Sequence, residues 1–171
     1  AAYDVAYNLC SANPDVQSLT VGAAFNDYAV DVDLNGVVAS NIIPSPECGD
    51  FALQDKWFSV TVPASGRFIV ETNATGFYET SLAAYTGDCN NNLQLLNCSD
   101  YNIFNDWEDS RLEFTDLTSG EIIYIRTWEE SNSESENMYQ ISAYDPEYTI
   151  CANVVENLTV GATFDDNDIT V

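Results

Sequence analysis

The sequence contains no histidine and very few basic residues. Lys and Arg total 4 in 171 residues, against 28 Asp and Glu, which gives a formal net charge of −24. A field this negative repels phosphate, so nucleic acid and anionic membrane surfaces are excluded as partners. Without histidine the chain cannot form a Ser-His-Asp or Cys-His nucleophile. We therefore expect a non-catalytic protein, with a hydrolase fragment using paired carboxylates as a distant alternative.

Long apolar runs are also missing. No stretch approaches the roughly 18 consecutive apolar residues that a membrane helix requires, so no membrane insertion is expected. Hydrophobic residues nevertheless make up 46% of the chain and include 10 Tyr, 8 Phe and 3 Trp. Disordered acidic segments lack such residues, and the composition therefore predicts a globular domain with an acidic surface.

The strongest internal signal is a repeated phrase. Leu19-Thr20-Val21-Gly22-Ala23-Ala24-Phe25 recurs as Leu158-Thr159-Val160-Gly161-Ala162-Thr163-Phe164. Flanking residues recur as well: Ala2-Tyr3-Asp4 and Cys10 as Ala143-Tyr144-Asp145 and Cys151, and Asp27 and Val32 as Asp166 and Val171. Self-similarity of this kind is typical of repeat arrays. We expect one module over residues 1–150, with 1–9 as the junction to a preceding repeat, and the first strands of the next repeat over 151–171.

Period-two alternation predicts strands throughout the module. Val30, Val32 and Leu34 alternate with Asp31 and Asp33, as in a half-buried strand. Residues 57–62 and 67–72, separated by Pro63-Ala64-Ser65-Gly66, have the pattern of a hairpin. Further strand candidates lie at 80–85, 93–96, 111–115, 122–128 and 138–144. The pattern indicates an all-β, antiparallel, jelly-roll-like sandwich of about eight or nine strands.

Five cysteines suggest that the sandwich is disulfide-bonded. Cys151 is the repeat counterpart of Cys10, so its partner would belong to the next module and we expect it to be unpaired. The remaining four are predicted to pair as Cys10–Cys48 and Cys89–Cys98. Disulfides indicate an oxidising, extracellular setting. Zinc is the alternative, weakened by the absence of histidine and of a CxxC pair.

Several segments, taken in order, resemble a known family. They are Cys48, Asp55-Lys56-Trp57-Phe58-Ser59-Val60-Thr61-Val62-Pro63-Ala64-Ser65-Gly66, Leu82-Ala83-Ala84-Tyr85-Thr86-Gly87-Asp88-Cys89, Leu96-Asn97-Cys98-Ser99-Asp100, Ser110-Arg111, Leu117-Thr118-Ser119-Gly120 and Tyr124-Ile125-Arg126-Thr127-Trp128. Together they are similar to the bacterial pre-peptidase C-terminal domains, in the version repeated in large secreted and surface proteins of Bacteroidetes. The resemblance implies a jelly-roll-like sandwich without catalytic activity, the same cysteine pairing, and in some relatives calcium or extracellular polymer binding.

Two acidic stretches are candidate calcium sites. Asp31 and Asp33 alternate along one strand and project to one face. The second stretch follows Cys98 and offers Asp100, Asn102, Asp106, Glu108 and Asp109. Calcium prefers such oxygen ligands, and closely spaced carboxylates repel one another unless a cation offsets them. The alternative for both is a solvated acidic surface.

Aromatic residues in the second stretch suggest a sugar site. Tyr101 and Trp107 stand among Asp and Asn residues, a combination that stacks on pyranose rings and bonds their hydroxyls. Core packing of Trp107 is the alternative. Trp57 and Trp128, within strongly alternating strands, are expected in the core, and Arg126 is expected to pair with a carboxylate for a structural purpose.

Three functions are compatible with these observations. The first is a structural and adhesive repeat of an exported surface protein, with neighbouring repeats as partners and calcium as a stabilising ion. The second is a lectin-like module for polysaccharide or another extracellular polymer. The third, distant, is the hydrolase fragment.

Overall fold

The computed structural model describes residues 16–37, 46, 48–49, 54–74, 79–88, 93–100, 109–130 and 138–147. Within these ranges the chain forms ten strands and one short 3-10 helix. The strands are β1 Gln17–Leu19, β2 Val21–Gly22, β3 Val30–Asp33, β4 Asp55–Thr61, β5 Phe68–Ala74, β6 Thr80–Thr86, β7 Gln94–Ser99, β8 Arg111–Phe114, β9 Ile122–Glu129 and β10 Met138–Tyr144, and the helix is Phe25–Asp27. None of the residues in these ranges belongs to a helix that is long and apolar enough to cross a membrane.

The strands form two sheets of the predicted sandwich. Sheet A has the order β1-β4-β9-β6-β7, and sheet B the order β2-β10-β5-β8, with β3 also paired to β10. From β3 onward, β3-β10-β5-β8 faces β4-β9-β6-β7, which is the order of a jelly roll built from two Greek keys. The predicted all-β, jelly-roll-like class is therefore confirmed.

The pairing is not entirely antiparallel. β1 runs parallel to β4, and β2 runs parallel to β10, so both sheets are mixed. These two strands also raise the number of strands in the described ranges to ten, above the eight or nine expected. At three and two residues they are too short to show a period-two pattern, and only their tertiary pairing identifies them as strands.

One local prediction is wrong. Residues 57–62 and 67–72 do not form a hairpin, because β4 pairs with β9 in sheet A while β5 pairs with β8 and β10 in sheet B. The Pro63–Gly66 turn carries the chain from one sheet to the other. Gly66 has φ +72°, and a Cβ there would lie 2.8 Å from the carbonyl oxygen of Leu117. The turn residues specify a reversal, but they do not specify whether the flanking strands lie side by side or face to face.

Alternate residues of the strands fill the core between the sheets. Phe58 and Ile125 of sheet A are fully buried there, opposite Val70 and Ile141 of sheet B. In β3, Val32 points into this core while Asp31 and Asp33 are exposed, as predicted from their alternation.

A second apolar cluster covers the outer face of sheet A. Trp57, Tyr85 and Trp128 are buried there with Ala83, and Cys48 and Cys98 pack against them. The two tryptophans are thus buried, as expected, but on the face of sheet A that points away from the central core.

Candidate functional site

Asp33 and Asp109, one from each acidic stretch predicted to bind calcium, lie at one end of the sandwich. Asp33 pairs with Met138 at the start of β10, and Ala74 at the end of β5 pairs with Tyr139. Asp109 lies just before β8 and accepts a 2.7 Å hydrogen bond from the backbone N–H of Ala74. We call this the loop end, because β3, β5, β7 and β9 all end there.

At the loop end the two aspartates of β3 make local polar contacts. Asp31 Oδ1 accepts a 3.0 Å hydrogen bond from Gln140 Nε2. Asp33 Oδ1 accepts hydrogen bonds from the backbone N–H and side-chain amide of Asn35, at 2.9 and 2.8 Å. Both aspartates are exposed, so the described contacts fit a solvated strand face that ends in an Asx turn.

Asp109, the described end of the second acidic stretch, does not lie next to the aspartates of β3. Val32, Tyr139 and Ala74 form one row across β3, β10 and β5. Asp109 therefore lies two interstrand spacings, about 10 Å, from the β3 edge. Among the residues in the described ranges, no group of three or more Asp, Glu, Cys or His is placed to hold a metal ion.

Asp109 is positioned by a buried polar network that sequence patterns did not reveal. Ser110 donates its backbone N–H to Thr72 Oγ1 over 2.8 Å, and its hydroxyl to the backbone oxygens of Thr80 and Ser99. The Thr72 and Thr80 hydroxyls are 2.6 Å apart. The network ties β5, β6 and β7 to the residues directly before β8 and so fixes the start of that strand. Small hydroxyl residues in strands carry no sequence signal that distinguishes such a network from an exposed face.

The remaining predicted ligands lie outside the described residues. These are Asn102, Asp106 and Glu108 for calcium, and Tyr101 and Trp107 for a sugar. Asp100 is half-buried directly after β7.

The cysteine pairing differs from the prediction. Cys48 is bonded to Cys98, with Cα atoms 6.1 Å apart, so the expected Cys10–Cys48 and Cys89–Cys98 bonds are wrong. The bond links β7, at one edge of sheet A, to the connection between β3 and β4, across the outer-face cluster. Sequence separation favoured the short Cys89–Cys98 loop, but the fold brings together residues 50 positions apart. Cys10, Cys89 and Cys151 lie outside the described residues.

A buried ion pair lies in the outer-face cluster. Arg126 Nε donates to Asp55 Oδ2 over 2.7 Å, and both side chains are almost completely buried. The same carboxylate oxygen accepts a 2.9 Å hydrogen bond from Trp57 Nε1. The guanidinium lies 5.5 Å from the ring centroid of Trp57 and 5.9 Å from that of Trp128. The expected structural pairing of Arg126 is confirmed, and Asp55 is the partner that sequence alone did not identify.

Burial also affects the tyrosines around these groups. It raises the pKa of Tyr85 in the outer-face cluster and that of Tyr139, whose hydroxyl lies 2.8 Å from Thr127 Oγ1. Burial, followed by the hydrogen bond to Glu71, raises the pKa of Tyr144 to about 12. All three phenols therefore stay neutral at physiological pH and act as packing groups, and those of Tyr139 and Tyr144 also form hydrogen bonds.

The repeated phrase forms the edge of both sheets. Leu19 ends β1 in sheet A, and Val21 and Gly22 form β2 in sheet B, so the chain changes sheets at Thr20. A Cβ on Gly22 would lie 2.8 Å from the Cβ of Asp27. Asp27 Oδ2 accepts hydrogen bonds from the backbone N–H groups of Ala23 and Ala24, at 2.8 and 3.0 Å. The Gly22 position is thus required by the carboxylate that folds back over it.

The exit of the module is held against the same phrase. The backbone N–H of Asp145 donates to the carbonyl oxygen of Gly22 over 2.8 Å. The buried Asp145 carboxylate lies 3.2 Å from Arg67 Nε, and Arg67 also pairs with Glu147. The end of β10 and the end of β2 therefore meet at one place.

Comparison of the sequence with protein-family models finds no match, and comparison with curated proteins finds none either.

Proposed function

We propose that this chain is a non-catalytic structural and adhesive repeat module of an exported or cell-surface protein. The observation that carries the proposal is the second copy of the repeated phrase. In the first copy this phrase forms the edge of both sheets and contacts the exit of β10. A second copy shortly after that exit is what a chain of consecutive sandwiches requires.

The polar residues of the described sandwich support a structural role. Three of the four basic residues, Arg67, Arg111 and Arg126, form ion pairs with carboxylates. The most buried of these pairs is enclosed by aromatic rings, which favours packing over chemistry with a substrate. The resemblance to pre-peptidase C-terminal domains implies the same non-catalytic role.

An extracellular location is part of the proposal. The Cys48–Cys98 bond is compatible with an oxidising compartment. A charge of −24 keeps neighbouring modules apart through mutual repulsion and attracts divalent cations. We include calcium as the stabilising ion, supplied with ligands by the loop end, and extracellular polymers such as polysaccharide as partners of the array.

Negative-stain electron microscopy of the full secreted protein that contains this chain tests the proposal. We expect a row of similar beads, each about 40 Å across, as a module of this length predicts. A single compact particle without a beaded stalk would refute the proposal.

A polysaccharide array probed with the same preparation tests the lectin-like alternative. Binding that is lost in Trp107→Ala but retained in Trp57→Phe would favour that alternative.

A further inference from the structure

Residues 16–33 occupy a slot along one edge of the sandwich, which we call the edge slot. Its walls are β4 in sheet A, which pairs with β1, and β10 in sheet B, which pairs with β2 and β3. Leu19 and Val32 enter the core from this segment and are 3% and 0% exposed. The segment therefore completes both sheets while contacting each through a single neighbouring strand.

The second copy preserves the residues that fill the slot. Residues 155–171 align with residues 16–32 without a gap, and nine of the 17 positions are identical. Of the nine positions that are buried or half-buried in the first copy, seven are identical, whereas only two of the eight exposed positions are. The seven are Val16, Leu19, Val21, Gly22, Ala23, Phe25 and Val32, which correspond to Val155, Leu158, Val160, Gly161, Ala162, Phe164 and Val171. The half-buried Val30 becomes Ile169, which is also β-branched.

One of the two identical exposed residues has a structural role in the slot. Asp27 binds the backbone of Ala23 and Ala24 and packs against Gly22. Both members of this contact recur, as Gly161 and Asp166. The second copy thus preserves the apolar contacts of the slot and also the one polar contact that requires a glycine.

The chain between the slot and the second copy is long enough to return. Asp145 is hydrogen-bonded to Gly22, and Gln17 lies five residues before Gly22, so at most about 18 Å separates Gln17 from Gly22. The 11 residues from Asp145 to Glu156 span up to about 36 Å. Glu156 can therefore reach the position of Gln17 in the same sandwich.

We propose that residues 155–171 are a second occupant of the edge slot, able to close the same sandwich from the C-terminal side in the register of residues 16–32. This inference rests on the proposed function, because it concerns how consecutive modules are joined. A slot with two occupants lets neighbouring modules exchange edge strands, so that an array is held together by pairing in the sheets as well as by its connecting peptides.

The melting temperatures of four forms of the full chain test the proposal: the unaltered protein, Leu19→Ala, Leu158→Ala and the double variant. We expect Leu158→Ala to melt with the unaltered protein, because residues 16–33 still fill the slot. The double variant should melt about 5–15 °C lower. Leu19→Ala alone should lower the melting temperature by less than half of that amount, because the second copy replaces the first in the edge slot. Equal melting of Leu19→Ala and the double variant would overturn the proposal.

A matched control uses an exposed position of the second copy. Thr163 corresponds to the exposed Ala24, so Leu19→Ala combined with Thr163→Ala should melt with Leu19→Ala alone. If the leucine double variant does not fold, Val21→Ala and Val160→Ala at half-buried positions provide the same comparison, and additive shifts there would also overturn the proposal. If electron microscopy shows a beaded array but the shifts in melting temperature are additive, only the second occupant of the edge slot is refuted. If it shows a compact particle but the shifts are non-additive, only the array is refuted.

Discussion

Replacing Arg126 with methionine tests whether the outer face of sheet A is a second core. The substitution keeps the length of the side chain but removes the guanidinium that lies 2.7 Å from Asp55 and beneath the rings of Trp57 and Trp128. The Asp55 carboxylate then stays buried without its cationic partner. Breaking a buried pair in this way costs about 3–5 kcal/mol.

We expect that loss to lower the melting temperature by roughly 6–20 °C, since 1 kcal/mol corresponds to about 2–4 °C in a domain near this size. Thermal unfolding followed by tryptophan fluorescence is the appropriate assay, because Trp57 and Trp128 are themselves part of the cluster. Replacing both charged residues, as Arg126→Met with Asp55→Leu, should recover much of the loss, because the uncompensated charge is then gone.

The matched control is Arg111→Met. Arg111 is half-buried and pairs at 3.1 Å with the exposed Glu113, and a pair that solvent reaches in this way contributes at most about 1 kcal/mol. The control should therefore melt within a few degrees of the unaltered protein, and its small effect should shrink in high salt. If Arg126→Met changed stability no more than Arg111→Met, the argument that the outer face is a closed, low-dielectric core would be wrong.

Three further predictions concern the disulfide, alkaline pH and calcium. Peptide mapping under non-reducing conditions should recover Cys48 linked to Cys98, whereas a peptide linking Cys89 to Cys98 would contradict the structure. Reducing the Cys48–Cys98 bond should lower the free energy of unfolding by about 4 kcal/mol for a loop of this length. Stability should fall as pH rises from about 10 toward 12. Phenols in the unfolded chain ionise near pH 10, whereas Tyr139 and Tyr144 have raised pKa values in the folded protein and stay protonated to higher pH. Urea titrations that gave a constant free energy of unfolding across this pH range would refute the prediction. Calcium should raise the melting temperature and chelation should lower it, because a ligand that binds only the native state stabilises that state, and magnesium serves as the control. Identical melting curves with calcium and with chelator would remove calcium from the proposal.

The strands and their faces were predictable where long alternating runs carry the signal. In β3, β4 and β9 the apolar residues of the central core are two positions apart, as Phe58 and Val60 are in β4, and this period of two follows from strand geometry alone. The same local rule could not assign β1 and β2, because pairing with β4 and β10 defines them. It also could not decide whether the Pro63–Gly66 turn joins neighbours in one sheet or strands of facing sheets.

By itself, the sequence determined the all-β class, the strongly negative net charge, the core positions of the long strands and the existence of a second copy of the first segment. These properties depend on the residue composition, on the spacing of apolar residues along a strand and on the identity of repeated residues. All three can be determined from the sequence without knowing which strands are neighbours. Tertiary structure alone decided that Cys48 joins Cys98, that Arg126 pairs with Asp55, and that Asp109 lies beside Ala74, about 10 Å from β3. Each of these depends on which distant strands become neighbours, and in a jelly roll, strands far apart in sequence lie side by side. The repeated phrase shows both contributions. Its recurrence is visible in the sequence, but the edge slot, which explains which residues recur, exists only in the folded sandwich.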